Sequence, residues 1–313
     1  MSVRTTDIFG QKRGERAQPG TYGMQPQGYR LPDGTRLGRV RLRVADLERS
    51  LAWYESVLGM AVLERTNESA TLGAHGSYHA LVELHEQSGA RPFPRRGRLG
   101  LFHFAILLPD RVSLGAFVRH LAEQGVRAGA ADHLVSEAFY LTDPDGLGIE
   151  IYADRPRETW QRVGRELMMS TDPIDMNDLL EASSGVRWDG MPAGTVMGHV
   201  HLHVGGLDAA SAFFSEAMGF DRTVWSYPGA LFLAAGGYHH HLGTNLWAGA
   251  EATPTGPNDA GLIEWTIELP DVADVDEVAK SLVANGHFVT REGADVLTTD
   301  PWKTGIRVRR AED

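Results

Sequence analysis

The feature that most constrains this chain is that it repeats itself. Residues 38 to 60, GRVRLRVADLERSLAWYESVLGM, return 160 residues later as GHVHLHVGGLDAASAFFSEAMGF at 198 to 220. Such a repeat sets the architecture before any local propensity does, because each copy must bury its apolar side against another. In the first copy Val40, Leu42 and Val44 alternate with Arg39, Arg41 and Arg43; in the second, Val200, Leu202 and Val204 alternate with His199, His201 and His203. That period of two predicts a half-buried strand. Leu47, Leu51, Tyr54 and Leu58, then Leu207, Phe213, Phe214 and Met218, predict a helix after each strand, stopped by Gly59 or Gly219.

A second pair lies between and after these copies. GLFHFAILLPD at 100 to 110 matches GLIEWTIELPD at 261 to 271, and TDPDGLGIEIY at 142 to 152 matches TDPWKTGIRVR at 299 to 309. Their helices are expected over Leu114–Gln124 and Val275–Asn285, each ending before Gly125 or Gly286. The chain therefore reads as four units of the α+β class, each a strand, a helix and several further strands. One unit leaves a sheet face bare, so units must curl together in pairs. The expected segments are an arm at 1–37, units one and two at 38–155, a connector at 156–196 with a short helix near Ile174–Ala182, and units three and four at 197–310.

At roughly 150 residues per domain, 313 residues predict about two domains. With 30 Lys plus Arg against 41 Asp plus Glu, a net charge of −11 argues against nucleic acid as a partner. The absence of cysteine excludes disulfides, thiolate metal sites and cysteine nucleophiles, so any metal must use His, Asp, Glu or other oxygen ligands. No apolar run approaches the roughly 18 residues of a membrane span, and residues 1–37 lack an apolar signal core, so a cytoplasmic protein without a membrane partner is expected.

Comparing the units with one another isolates the chemistry. At matching places on the opening strands stand Arg39, His103, His199 and Glu264; on the closing strands unit two has Glu150 where unit four has Arg307. Each residue has an ordinary reading alone: His103 as a hydrogen-bonded core residue, Glu150 as an outward charge, and His199, His201 and His203 as one strand face of which only one or two reach a common ion. Taken jointly, His103, His199 and Glu150 are the two imidazoles and one carboxylate of a facial Fe(II) site, and the same ligands suit Mn(II). Tyr238 to His241 are placed on the closing strand of unit three, where alternation puts His239 and His241 on one face and His240 on the other. A histidine beside a metal moves protons at neutral pH. Tyr140 and His133 precede Glu150 in unit two, Tyr140 as a donor to a substrate oxygen or as packing.

The motifs FHFAILLPDR, DHLVSEAFYLTDPDGLGIEIYADRPRETWQR, HVHLHV and AGGYHHHLGTNLW resemble the vicinal oxygen chelate superfamily, and within it the bacterial catechol 2,3-dioxygenase branch of type I extradiol enzymes. The resemblance implies four βαβββ modules forming two cupped mixed-sheet barrels around one divalent metal. It implies cleavage of a small aromatic diol by O2 to a muconic semialdehyde. Carried over residue by residue, it assigns His103, His199 and Glu150 to the metal, His240 to acid/base work, Tyr140 to hydrogen bonding and His133 to a supporting polar contact. The ligands then fall in units two and three, so unit two is expected to pair with unit three and unit one with unit four, the second cup carrying Arg39, Glu264 and Arg307. Sequential pairing is the rival, and would build a site from His199, a histidine of 239–241 and Glu264. Two other functions stay open: a glyoxalase-type isomerase or thiol transferase, and a metal-free protein binding aromatic ligands, with Trp53, Trp247 and Trp265 as lining. A homo-oligomer is compatible with everything in the sequence.

Overall fold

The computed structural model describes residues 4–10, 12–94 and 96–312; residues 1–3 of the expected arm lie outside the described residues. Each unit is a βαβββ module. The opening strands are Arg36–Val44, Arg98–Leu107, Val196–His203 and Gly261–Leu269, and the closing strands are Ala80–Glu86, Gly148–Asp154, Leu242–Asn245 and Gly305–Arg310. Between them lie helices at Leu47–Ser56, Arg111–Glu123, Leu207–Ala210 and Val272–Ala284. Asp46 and Asp110 start their helices by accepting from the backbone N–H groups of Arg49 and Ser113, and Asp271 does so in a reciprocal box with Asp274. The aspartates of the repeated LPD sequence are thus caps. Gly59, Gly125, Gly219 and Gly286 all take positive φ at the helix ends. Module three departs from the expected regular helix. Its start, Gly206, has no capping side chain, and after Ala210 the helix widens to π geometry over Ser211–Ala217, with Met218 N–H donating to Phe213 O at 2.9 Å.

In every module the opening strand runs parallel to its own closing strand, and its free edge meets another module's opening strand antiparallel. The partners are modules two and three, joined at Arg98–Leu107 and Val196–His203, and modules one and four, joined at Arg36–Val44 and Gly261–Leu269. Each sheet therefore joins a module of the first half of the chain to one of the second, as expected, and the sequential pairing of one with two and three with four does not occur. Alternation along each opening strand separates two environments. Phe104 and Ile106 face the core beneath the helices with Leu114, Phe117 and Leu121, while His103 and Ala105 face the cup.

Residues 15–16 of the arm pair with Gln161–Val163 of the connector, and Met24 bridges to Arg222. The connector's helix is Met176–Ala182, two residues shorter at its start than expected because Asp175 caps it. Arg119 of module two ties that helix down through the carbonyls of Leu180 and Ser183. Among the described residues no helix is long and apolar enough to cross a membrane.

One repeated glycine has a steric reason. A Cβ on Gly148 would lie 2.1 Å from the Phe102 carbonyl oxygen, and one on Gly305 would lie 2.5 Å from that of Ile263. The closing strand thus passes the opening strand too closely for a side chain, two residues before Glu150 in one cup and before Arg307 in the other. Gly148→Ala and Gly305→Ala should each destabilise the fold by about 1–3 kcal/mol, the usual cost of overpacking, measured by denaturant unfolding. Only Gly148→Ala should also weaken metal binding.

Candidate metal centre

His103, Glu150 and His199 arrive from three adjacent strands of one sheet. The register explains the convergence: His199 lies opposite Ala105 on one side, Glu150 lies opposite Ala105 on the other, and His103 precedes Ala105 by one pleat. All four side chains share the cup face, and alanine leaves the space between the ligands free. One ligand atom from each residue lies within 4.8 Å of the other two. His103 Nε2 is 3.0 Å and His199 Nε2 3.2 Å from the same oxygen, Glu150 Oε2. All three side chains are buried.

His103 Nε2 is close to Glu150 yet is not aimed to hydrogen-bond with it, and it has no other partner. A buried nitrogen left in that state beside a carboxylate is costly, and a shared cation removes the cost. The donor set of two imidazoles and a carboxylate, with no thiolate, fits Fe(II) or Mn(II). Burial pushes His199 down to about 4, so it is neutral and ready to ligate at neutral pH. Burial alone would raise Glu150, but His199 and His103 outweigh it and hold the carboxyl well below its usual range.

The other candidate residues surround this group. His133 Nδ1 is 2.5 Å from the Ser170 carbonyl, which only accepts, so the ring proton sits on Nδ1. His133 Nε2 is then an acceptor, and the Tyr140 hydroxyl 2.5 Å away donates to it. In that tautomer Tyr140 directs its proton at His133 and offers a ligand its oxygen lone pairs. Burial, reinforced by Glu150, keeps Tyr140 well above the ordinary tyrosine range.

His240 packs against His199, with ring centroids 4.1 Å apart. The expected strand alternation of His239 to His241 is corrected here: these residues form a bend, and the closing strand begins only at Leu242. Gly236 and Gly237, both at positive φ, turn the chain before them, so all three rings are buried. His201 lies opposite His103 and its Nε2 has no partner, while His203 Nδ1 pairs with Asn245 Oδ1 at 2.6 Å. Phe102 and Trp247 pack on both rings or beside them, giving the cup an aromatic side. Trp265 and Trp53 do not line it, since both belong to the apolar core. Sequence reasoning missed Ala105, Ser170 and Asp154; the first and last stand inside the motifs that carry the resemblance, but nothing in those motifs shows what either residue meets.

The cup of modules one and four uses the same register differently. Glu264 stands where His103 does, opposite Arg41, and Arg307 stands where Glu150 does. Arg307 binds Glu264 at 2.9 Å, Glu292 at 2.8 Å and Asp295 at 2.9 Å, while Arg39 and Arg41 engage Glu83. Guanidinium groups balance the carboxylates, which is why Glu264 is unavailable for the rival ligand set.

A family model described as the Glyoxalase/Bleomycin resistance protein/Dioxygenase superfamily matches residues 36–151 and 196–306. The chain is 45% identical over 275 residues to the catechol-2,3-dioxygenase of Bacillus subtilis (strain 168), covering 87% of this chain and 95% of that protein. Among solved structures it is similar to a Bacillus subtilis subsp. subtilis str. 168 protein, a dioxygenase by its provisional name, at TM-score 0.61 and 13% identity, covering 90% of this chain and 87% of the other. It is also similar to a variant of glyoxalase I from Zea mays, at TM-score 0.52 and 17% identity over 88% and 92% of the two chains. These two likenesses concern the fold.

Two outcomes are expected of the centre itself. Glu150→Gln keeps the shape and removes the anionic oxygen, so Mn(II) affinity by calorimetric titration should fall by more than about 100-fold, beyond the range for outer groups. His203→Ala should leave it near the parent value. In the metal-free protein, His199 and His241 are held neutral by burial at about 4 and about 3. The unfolded chain binds protons to these histidines first, so stability is full above about pH 6.5 and falls as pH drops towards 4 and 3. His199 alone should account for roughly 3 kcal/mol of that loss, read by unfolding across this range.

Proposed function

The chain belongs to the glyoxalase/bleomycin resistance protein/dioxygenase superfamily, and from that premise we propose that it is an extradiol dioxygenase that opens a catechol-type ring with O2. At the coarser level it is an oxidoreductase of the catechol-2,3-dioxygenase kind, a statement carried by 45% identity across 87% of the chain. The finer reading assigns Fe(II), or Mn(II) in its place, to His103, His199 and Glu150. Its single strongest support is the convergence of those three groups on one point of a buried, aromatic-sided cup.

When bound, the metal would hold the diol and O2 side by side and let electron density pass from ring to oxygen. The chain's own residues then manage position and protons. Phe102 and Trp247 offer flat faces to an aromatic ring. The Tyr140 oxygen accepts from a substrate hydroxyl and stands between it and the basic His133 Nε2. His240, on the other side beside His199, takes and returns a proton. Burial keeps it well below its ordinary value and therefore neutral before substrate arrives. Atom balance requires that both oxygens of O2 enter the product: the ring bond next to one hydroxyl-bearing carbon breaks, leaving an aldehyde at one end and a carboxylate at the other.

Anaerobically prepared protein loaded with Fe(II) should consume one O2 per catechol and form a yellow ring-fission product. Metal binding without oxygen uptake across a panel of substituted catechols would sink this reading in favour of an isomerase of the same superfamily. Tyr140→Phe should lower kcat by about 10²-fold or more, in the range of a lost proton-transfer partner, with metal affinity retained.

A further inference from the structure

His239 has no part in the chemistry above, yet it is fully buried and hydrogen-bonded at both ring nitrogens. Its Nε2 lies 2.9 Å from Asp154 Oδ1, and its Nδ1 lies 2.7 Å from Nδ1 of His240. Tyr238 also directs its hydroxyl at the same Asp154 oxygen, at 3.2 Å, and in turn meets the Tyr152 hydroxyl at 2.7 Å. Asp154 is thus an acceptor on which donors converge.

For a neutral His239 the proton positions follow by elimination. A carboxylate oxygen only accepts, so the N–H of a neutral His239 must sit on Nε2. Its Nδ1 is then a bare acceptor, and the contact between the two Nδ1 atoms closes only if His240 carries its own proton there. The nitrogen of His240 left with a lone pair is Nε2. We infer that Asp154 and His239 are positioning residues that lock His240 in the Nδ1–H tautomer, so that Nε2 is the atom kept free to receive a proton in the cup. The ring has no alternative seat, being held between the rings of His199 at 4.1 Å and Phe232 at 5.0 Å.

One strand face supplies both carboxylates. Glu150, Tyr152 and Asp154 succeed one another at alternate positions of the closing strand Gly148–Asp154, so the strand that brings the metal-binding carboxylate also brings the group that sets the tautomer. Module three supplies the histidines. Asp154 is about one quarter exposed, and Tyr238 and His241 line a cavity of about 920 Å³ whose lining includes none of the three ligands. The functional consequence rests on the dioxygenase reading, whereas the tautomer assignment does not.

The test uses the full-length protein labelled with ¹⁵N-histidine and without metal, His239→Leu and His240→Gln serving to assign the resonances. The expected spectrum shows His239 protonated at Nε2 and His240 at Nδ1; a His240 protonated at Nε2 overturns the inference. In the Fe(II)-loaded enzyme His239→Leu should cut kcat by about 10–100-fold, with catechol KM and Mn(II) affinity within a few-fold of the parent. His239→Asn, whose amide oxygen can accept from His240 Nδ1, should recover most of that loss. Unchanged kcat in the leucine variant, or an asparagine variant no better than leucine, overturns it. If the parent cleaves no catechol, the dioxygenase reading falls and the spectrum alone decides the tautomer.

Discussion

The antiparallel pairing of opening strands is the contact on which everything else in this protein depends. Each module finishes its own sheet on one side by pairing the opening strand with the closing strand, and leaves the opening strand's other edge bare. An unpaired edge beside an apolar sheet face is a liability that pairing removes. Pairing Arg98–Leu107 with Val196–His203 satisfies the edge and at the same time sets His199 and Glu150 on opposite flanks of Ala105. The candidate metal site is thus a product of sheet closure, and its three residues need no loop to bring them together.

The two cups show what one scaffold does with different side chains. In one, two imidazoles and a carboxylate face each other with a nitrogen unpartnered, an arrangement that a cation would complete. In the other, Arg307 occupies the place of Glu150 and pairs with Glu264, Glu292 and Asp295 from within the chain. The glycine two residues earlier is retained in both, since it answers to the approach of backbones and not to chemistry. Steric demands survive duplication where functional ones do not.

Around the metal ligands the hydrogen bonds have direction. The Ser170 carbonyl fixes one tautomer of His133, and Asp154 fixes that of His239. Each leaves a nitrogen with a lone pair, one behind Tyr140 and one on His240. A neutral imidazole has two forms of similar energy, so one carbonyl or carboxylate acceptor is enough to choose between them.

Much of this was legible in the linear chain. The repeat, the period of two along the opening strands, the capping aspartates and the helix-ending glycines specify four like modules, because these signals act over a few residues. Comparing the copies singled out His103, Glu150 and His199, since a residue that breaks an internal pattern is visible without any structure. Which edges meet was legible only indirectly, through the need to bring His103, Glu150 and His199 together, since nothing in the edges themselves shows it. Modules one and two are neighbours in sequence yet lie in different sheets, and edge pairing is decided by the curvature and packing of whole modules. The histidine run likewise read as strand, because alternation cannot register the turn that two left-handed glycines, Gly236 and Gly237, impose on the residues after them. The partners of Asp154 and Ser170 were hidden for the same reason: each hydrogen bond joins atoms dozens of residues apart, and only the folded chain gives them a distance.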